Sequence, residues 1–226
     1  MLNRIITLDE VDSTNNYLKL NRGELPDGTL VTARIQTAGK GRRGHEWLAD
    51  QGMLPLSLLL KQPPHPDTLT LCAGVAVCEA LEPLLPGEEL GIKWPNDIIL
   101  HGHKLCGILC ESVCFGSSMD IVCGIGVNLA QTAEFFEKAN IPHGGSVEML
   151  TGVTINDRDK LAEDIAERLY SYSRSGFESV REKYVKRCLT VGKKIRIIEN
   201  GSEREAFAEG IAPNGFLICS DENGRV

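Results

Sequence analysis

Between residues 92 and 129 the chain sets strand-length apolar runs one after another, with only short turns between them. These runs are Ile92-Lys93-Trp94, ended by Pro95, then Ile98 to Leu100, Leu105 to Cys114, and Met119 to Leu129. The separators around His101-Gly102-His103 and Gly116-Ser117-Ser118 are of turn composition. Further strand candidates precede them: Leu2 to Leu8, Thr29 to Ile35, and Met53 to Leu60, where Pro55 predicts an edge or a bulge. Strands, a helix, a meander of strands and then helices predict an α+β domain. Its sheet is expected to be mixed or antiparallel with flanking helices, not doubly wound.

The helices are read from caps and period. Ser13 is a good N-cap for a short helix from Thr14 to about Leu20. Asp67, after the Pro63, Pro64 and Pro66 connector, is expected to cap a helix through about Leu85, with Leu71, Val75 and Cys78 on one stripe. Two more are predicted at Asp157 to Ser173, with Leu161, Ile165 and Leu169 inward, and at Phe177 to Cys188. From about Leu189 the pattern becomes short strands with hairpin turns at Asn200-Gly201, Pro213-Asn214-Gly215 and Glu222-Asn223-Gly224. The expected division is a domain at 1–188 and a small β-barrel-like module at 189–226, short or incomplete.

Composition narrows the function. The 226 residues carry a net charge of -7, which argues against a general nucleic-acid binder. No apolar run approaches the roughly 20 residues needed to span a membrane. The N-terminus holds Arg4, Asp9, Glu10 and Asp12 without a signal-like apolar core, so a cytoplasmic location is expected. The eight cysteines include no CxxC pair and no zinc spacing. They are expected to be reduced and mostly buried.

Against this acidic background, Gln36-Thr-Ala-Gly-Lys-Gly-Arg-Arg-Gly-His-Glu-Trp47 places Lys40, Arg42, Arg43 and His45 on a glycine-punctuated loop. Such a loop suits one local anion, a phosphate or carboxylate, and glycine lets the backbone come close to it. A solvated basic loop has the same composition. The Gly-x-Gly-x-x-Gly spacing fails as a dinucleotide fingerprint, because no helix follows it. His45-Glu46 stands where a P-loop needs Lys-Ser/Thr. In extended chain Lys40 and Arg42 would face one way and Arg43 the other.

Lys93-Trp94-Pro95-Asn96-Asp97, followed by Lys104 and Gly107, forms a second constellation. Pro95 stiffens the strand end that carries Lys93, a point charge suited to phosphate. Asp97 suits pairing with a lysine or holding Mg²⁺. Gly124-Ile-Gly126-Val-Asn128 is a third patch, where two strand glycines allow close approach of a ligand or of backbone. No Gly-x-Ser-x-Gly elbow, no His-Glu-x-x-His and no nucleophile with a partnered base occurs. The chemistry indicated is positioning and charge neutralisation around phosphate.

These three constellations, with Ser13-Thr14-Asn15 ahead of them, resemble in order the biotin protein ligase family, in its form without an N-terminal DNA-binding domain. The resemblance implies a class II synthetase-like ligase domain and a small SH3-like β module. It implies attack of the biotin carboxylate on the α-phosphate of ATP, giving biotinyl-5'-AMP, then transfer of biotin to a lysine of a biotin carboxyl carrier domain. Biotin would be the substrate and ATP with Mg²⁺ the co-substrate and activator, with no metal ligands assigned. No DNA or membrane partner is expected, and the state would be a monomer or homodimer. Lys93 and Arg42 would be catalytic, Lys93 as the main cation. Ser13, Thr14, Asn15, Gln36, Gly39, Lys40, Gly41, Arg42, Trp47, Lys93 and Gly107 would bind biotin. Lys40, Arg42, Arg43, Lys93, Asn96, Asp97 and Asn128 would bind ATP or the adenylate.

Two departures stand out. Lys40 occupies a position where the family commonly has Arg, and Pro55 one where it usually has an aromatic residue. A lipoate or octanoate ligase or transferase is the nearest alternative, although the polar Ser13, Thr14 and Gln36 suit a ureido ring better than a dithiolane. A non-catalytic biotinyl-AMP-binding module is the alternative of a different class.

Overall fold

The computed structural model describes residues 1–225 apart from Ala49, Ser117, Asn200 and Asn223. Parts of the turns expected at 116–118, 200–201 and 222–224 therefore lie outside the described residues. The elements run β1 (Arg4–Val11), α1 (Thr14–Asn21), β2 (Thr29–Gln36), β3 (Met53–Leu60), α2 (Leu69–Leu81), β4 (Gly91–Lys93), β5 (Asp97–Leu100), β6 (His103–Phe115) and β7 (Ser118–Asn128). Then come α3 (Ala133–Lys138), α4 (Val147–Thr151), α5 (Arg158–Ser175), α6 (Arg181–Arg187) and the strands β8 (Lys194–Glu199), β9 (Ser202–Ile211), β10 (Leu217–Asp221) and β11 (Gly224–Arg225).

The main sheet has seven strands in the order β1-β2-β3-β7-β6-β5-β4. The β1–β2 pair is parallel, with α1 as its crossover, and every other neighbouring pair is antiparallel. The sheet is thus mixed. The β5–β6 turn is tight because His101 and Gly102 both take positive φ, 49° and 81°.

Strand β3 is buried along its whole length, because both faces of the sheet are covered. Leu54, Leu56, Leu58 and Leu60 face the main core with Cys123, Ile125, Ile108 and the helices α2 and α5. Leu59, with Val31 and Val122, faces Leu18 of α1. This is the period of two read through an apolar run. Leu161, Ile165 and Leu169 of α5 are buried in the main core as expected, each contributing about 1.5–3 kcal/mol relative to exposure.

Two expectations are corrected, and two helices are added. Pro55 does not mark an edge strand, since β3 lies between β2 and β7. The β2 pairing ends at Thr32↔Leu56, one residue short of Pro55, so the strand is unpaired on that flank where its N–H is missing. Asp67 does not cap α2. It sits in a 3-10 turn over Pro66–Thr68, and the helix ends at Leu81 before a second such turn containing Pro83. The helices α3 and α4 were not foreseen. They are six and five residues long, each capped by a hydroxyl, Thr132 on the Phe135 N–H and Ser146 on the Met149 N–H.

All eight cysteines are free, and Cys110 and Cys123 face each other across β6 and β7 with sulfurs 3.1 Å apart. Burial pushes the Cys72 and Cys78 thiols up to about 12, so they behave as small apolar groups.

After α6 the chain runs beside β4, where the Leu189 N–H donates to the Ile92 carbonyl at 2.8 Å. It then forms a four-stranded antiparallel sheet in the order β11-β10-β9-β8. The Trp94 indole N–H donates to the Gly215 carbonyl at 3.1 Å, so the residue before the cis Pro95 faces this small sheet.

Candidate functional site

The α1 side of the sheet carries a cavity whose floor is built from glycines. Gly107 pairs with Gly126 and Leu109 with Gly124, while Pro55 lies opposite Gly126 and Ser57 opposite Gly124 on the other side of β7. An added methyl on Gly126 would come 2.6 Å from Nε1 of Trp47, and one on Gly107 would come 2.7 Å from its Cζ3. The absent side chains therefore leave room for the Trp47 ring to lie flat on the sheet. Pro55 and Leu109, of the same strand parity as these glycines, add apolar side chains to the wall.

Polar groups enter from the start of α1. Ser13 caps the helix by accepting from the Asn16 N–H. Gln36, at the end of β2, turns its Oε1 to the Thr14 backbone N–H at 3.0 Å, satisfying a first-turn donor that the helix cannot use. Thr14 and Asn15 are buried. Each side chain contacts the Ser57 hydroxyl, at 2.7 and 2.6 Å.

The basic loop is a small hairpin. The Lys40 and Glu46 backbones pair antiparallel, the Gly41 N–H donates to the His45 carbonyl, and the Trp47 N–H donates to the Gly39 carbonyl. A methyl on Gly39 would meet the Trp47 carbonyl at 2.3 Å, so this close backbone approach requires glycine. The tip is a 3-10 turn over Arg42–Gly44, with Arg43 in the left-handed region at φ 56°. The tip is turned rather than extended. Lys40 and Arg42 still point inward, where Lys40 donates to Asn16 and Arg42 to Asn96 at 2.8 Å. Arg43 does not line the cavity.

The second constellation divides. Asn96 and Lys104 line the cavity and Lys93 does not. Lys93 ends β4 opposite Asp97 with an exposed side chain. Lys104 pairs with Asp97 at 2.7 Å, and its ammonium lies 5.2 Å from the centre of the Trp47 ring. Asn128, expected near a nucleotide, is buried. Its amide N–H₂ donates to the carbonyls of Gly145 at 3.1 Å and Lys104 at 3.4 Å, while its oxygen accepts from Gln131. Asn128 thus anchors the backbone of Lys104.

One cavity therefore collects Ser13, Thr14, Asn15, Gln36, Lys40, Gly41, Arg42, Trp47, Asn96 and Gly107. Gly39 supports it from the loop backbone. Lys93, Arg43, Asp97 and Asn128 are not in its wall. Three side chains were missed. Lys104 lies in the second constellation, and the motif alone does not distinguish it from Lys93. Ser57 is the one polar residue in Met-Leu-Pro-Leu-Ser-Leu-Leu-Leu, and Glu111 has the same strand parity as Gly107. A hydroxyl interrupting an apolar run and the parity of β6 were the available signals. Burial alone would raise the Glu111 carboxyl, but hydrogen bonds from Lys19 and Asn15 and the charges of Lys19 and Lys40 hold it below its usual range.

The arrangement can hold a molecule with a neutral polar head, an apolar body and an anionic end. Three cations, Lys40, Arg42 and Lys104, can gather negative charge. Among the described residues no three His, Cys, Asp or Glu side chains converge on a metal position.

Residues 8–128 match the Biotin/lipoate A/B protein ligase family. A biotin--[acetyl-CoA-carboxylase] ligase of Paracoccus denitrificans is 36% identical over 231 residues, covering 96% of this chain and 95% of that protein. One from Mycobacterium tuberculosis is 33% identical over 210 residues, covering 88% and 75%. The biotin protein ligase from Aquifex aeolicus, solved in complex with biotin and ATP, superposes with a TM-score of 0.82 at 28% identity, covering 100% of this chain and 95% of that one.

Proposed function

Because this chain belongs to the biotin/lipoate A/B protein ligase family and is a biotin ligase, we propose a division of labour among its residues for the two half-reactions. In the first, the biotin carboxylate attacks the α-phosphate of ATP and releases pyrophosphate, leaving biotinyl-5'-AMP. In the second, a lysine of a biotin carboxyl carrier domain attacks the mixed anhydride and releases AMP. Neither step needs a protein nucleophile. What the first needs is cations that relieve the repulsion between carboxylate and triphosphate and stabilise charge in the transition state.

The observation that carries this reading is the convergence of Lys40, Arg42 and Lys104 with the neutral polar set Thr14, Asn15 and Gln36 on one glycine-floored cavity. Thr14 and Gln36 take the ureido head, and Trp47 covers the alkyl chain over Gly107 and Gly126. Lys104 takes the role of main cation first expected of Lys93, because Lys104 lines the cavity and Lys93 does not. Arg42, held by Asn96, contacts the acyl-phosphate, with Lys40 assisting. Closure of the 39–47 hairpin keeps water from the anhydride.

Mg²⁺ arrives with ATP. Asp97, next to Asn96 and paired with the cavity-lining Lys104, is the carboxylate we assign to an ion that keeps most of its ligands from phosphate and water. Asp97 would hold it, and the ion would neutralise triphosphate charge. Residues 1–188 form the catalytic unit and 189–226 the small β module. The free thiols support a reducing compartment, the cytoplasm. The test is transfer. Incubation with ATP, Mg²⁺, biotin and a biotin carboxyl carrier domain is expected to add one biotin to one carrier lysine, read by mass spectrometry. A carrier left unmodified while biotinyl-AMP accumulates would refute the second half-reaction.

A further inference from the structure

A chain of hydrogen bonds runs behind the polar end of the cavity and begins at a residue that does not line it. Glu111 Oε1 pairs with Lys19 at 2.8 Å, and Oε2 accepts from the Asn15 amide N–H₂ at 2.8 Å. The same amide nitrogen reaches the Leu109 carbonyl at 3.3 Å. Asn15 Oδ1 lies 2.6 Å from Ser57 Oγ, which lies 2.7 Å from Thr14 Oγ1.

Donor and acceptor capacity fixes every proton in this chain. An ionised carboxylate only accepts, so Asn15 must present nitrogen to Glu111 and oxygen to Ser57. An amide oxygen only accepts, so the single hydroxyl proton of Ser57 goes to Asn15. The contact between the two hydroxyls then needs the proton of Thr14, which is donated to Ser57. Thr14 Oγ1 is left with lone pairs only toward the cavity. Gln36 Oε1, which accepts from the Thr14 backbone N–H, lies 3.2 Å from Thr14 Oγ1, but a Thr14 proton turned to it would leave the 2.7 Å contact between the two hydroxyls with no proton between them.

We propose that Glu111 is a positioning residue that sets the polarity of the substrate pocket: acting through Asn15 and Ser57, it makes Thr14 Oγ1 an obligate acceptor and so selects an acid whose head group carries an N–H there. This rests on the ligase reading above and deepens it, because a cyclic urea offers that N–H and a dithiolane does not. A cyclic urea methylated on that nitrogen offers none either. The geometry is held from below by Gly124, where an added methyl would fall 2.3 Å from Asn15 Oδ1. A site that hydrogen-bonds a substrate N–H rejects analogues lacking it more strongly than an apolar pocket rejects a change of size.

The experiment is calorimetric titration of biotin, without nucleotide, into the full chain and its variants. Glu111→Leu is expected to weaken biotin by about tenfold, the value of one lost hydrogen bond to a held acceptor. Binding of an N-methylated ureido analogue should stay within about twofold, so that discrimination collapses. Glu111→Gln keeps an oxygen for Asn15 and should restore biotin affinity to within about threefold of wild type. Ser57→Ala should weaken biotin in the same direction, and adding Glu111→Leu to it should cost little more, because the two act through one chain. Lys19→Met, which removes the ion pair and leaves the chain of bonds, should change affinity less than about twofold. Circular dichroism and Tm report folding, and Ser57→Ala and Glu111→Gln carry the test if Glu111→Leu does not fold. Additive losses, equal loss in Lys19→Met, or unchanged discrimination would overturn the proposal while leaving the ligase reading intact. A wild-type chain that binds no biotin would overturn both.

Discussion

Replacing Lys104 by Met keeps the methylene stem beside Trp47 and removes only the charge. Two consequences can be sized separately. Lys104 and Asp97 are 35% and 20% exposed in their side chains, so their ion pair is screened and its loss costs about 0.5 kcal/mol. Loss of the ammonium 5.2 Å from the Trp47 ring centre costs about another 0.5 kcal/mol. For a chain of this size that is a fall in Tm of roughly 2–4 °C. The rate is affected much more. A preorganised cation facing charge that develops in the transition state is worth about 10²–10³ in turnover. Pyrophosphate exchange at saturating biotin and ATP should therefore fall about a hundredfold or more, with folding nearly intact. Lys93→Met, at the exposed end of β4, should cost less than tenfold. Exchange within tenfold of wild type in Lys104→Met, or the larger loss in Lys93→Met, would mean that Lys104 is not the main cation.

Gly107→Ala should move Trp47, since the new methyl lands 2.7 Å from its ring. Overpacking of about 1–3 kcal/mol should appear as roughly fivefold or more weaker biotin binding by calorimetry. Arg42→Ala, which breaks the 2.8 Å bond to Asn96 and removes an inward cation, should release biotinyl-AMP into solution at least about tenfold faster, measured by quenched chromatography of single turnovers. Glu79 joins α2 to Tyr172 and Lys183. Burial alone would raise its carboxyl, but those hydrogen bonds and the Lys183 and Arg168 charges hold it below 4.5. A depressed folded value means that its stabilisation is complete above the unfolded value of 4.5 and is lost as pH falls through the folded one. Tm measured from neutral pH downward should show a smaller acid loss in Glu79→Gln than in wild type.

The layout of strands and helices was legible wherever period and caps agreed. Strand β3 was legible as an apolar run of strand length and the inward face of α5 as a 3.6-residue stripe, and the tertiary packing followed. Pro55 misled because propensity speaks for a whole strand, whereas β2 leaves β3 at Leu56 and makes the missing N–H harmless. The short helices α3 and α4 were invisible because six and five residues give too few turns for a period. The cavity itself was legible in its glycines and in Ser13 to Asn15. Which lysine faces it was not. Lys93 and Lys104 both lie in the motif. Lys93 pairs with Asp97 and Asp97 with Gly107, which puts Lys93 on the cavity face but out on the edge strand β4. The irregularity in the β5–β6 pairing after Ile98 instead brings Lys104 to the cavity. Ser57 and Glu111 escaped notice because their partners, Asn15 and Thr14, are more than 40 residues away along the chain. Only the sheet register brings them under α1.

Whether the glycine-floored cavity activates biotin with ATP is decided by exchange of labelled pyrophosphate into ATP in the presence of Mg²⁺, with biotin, lipoate and octanoate in parallel. Exchange should depend on biotin, with neither of the other acids replacing it. Exchange driven by lipoate or octanoate, or none with any acid, would rule out biotin activation at this cavity.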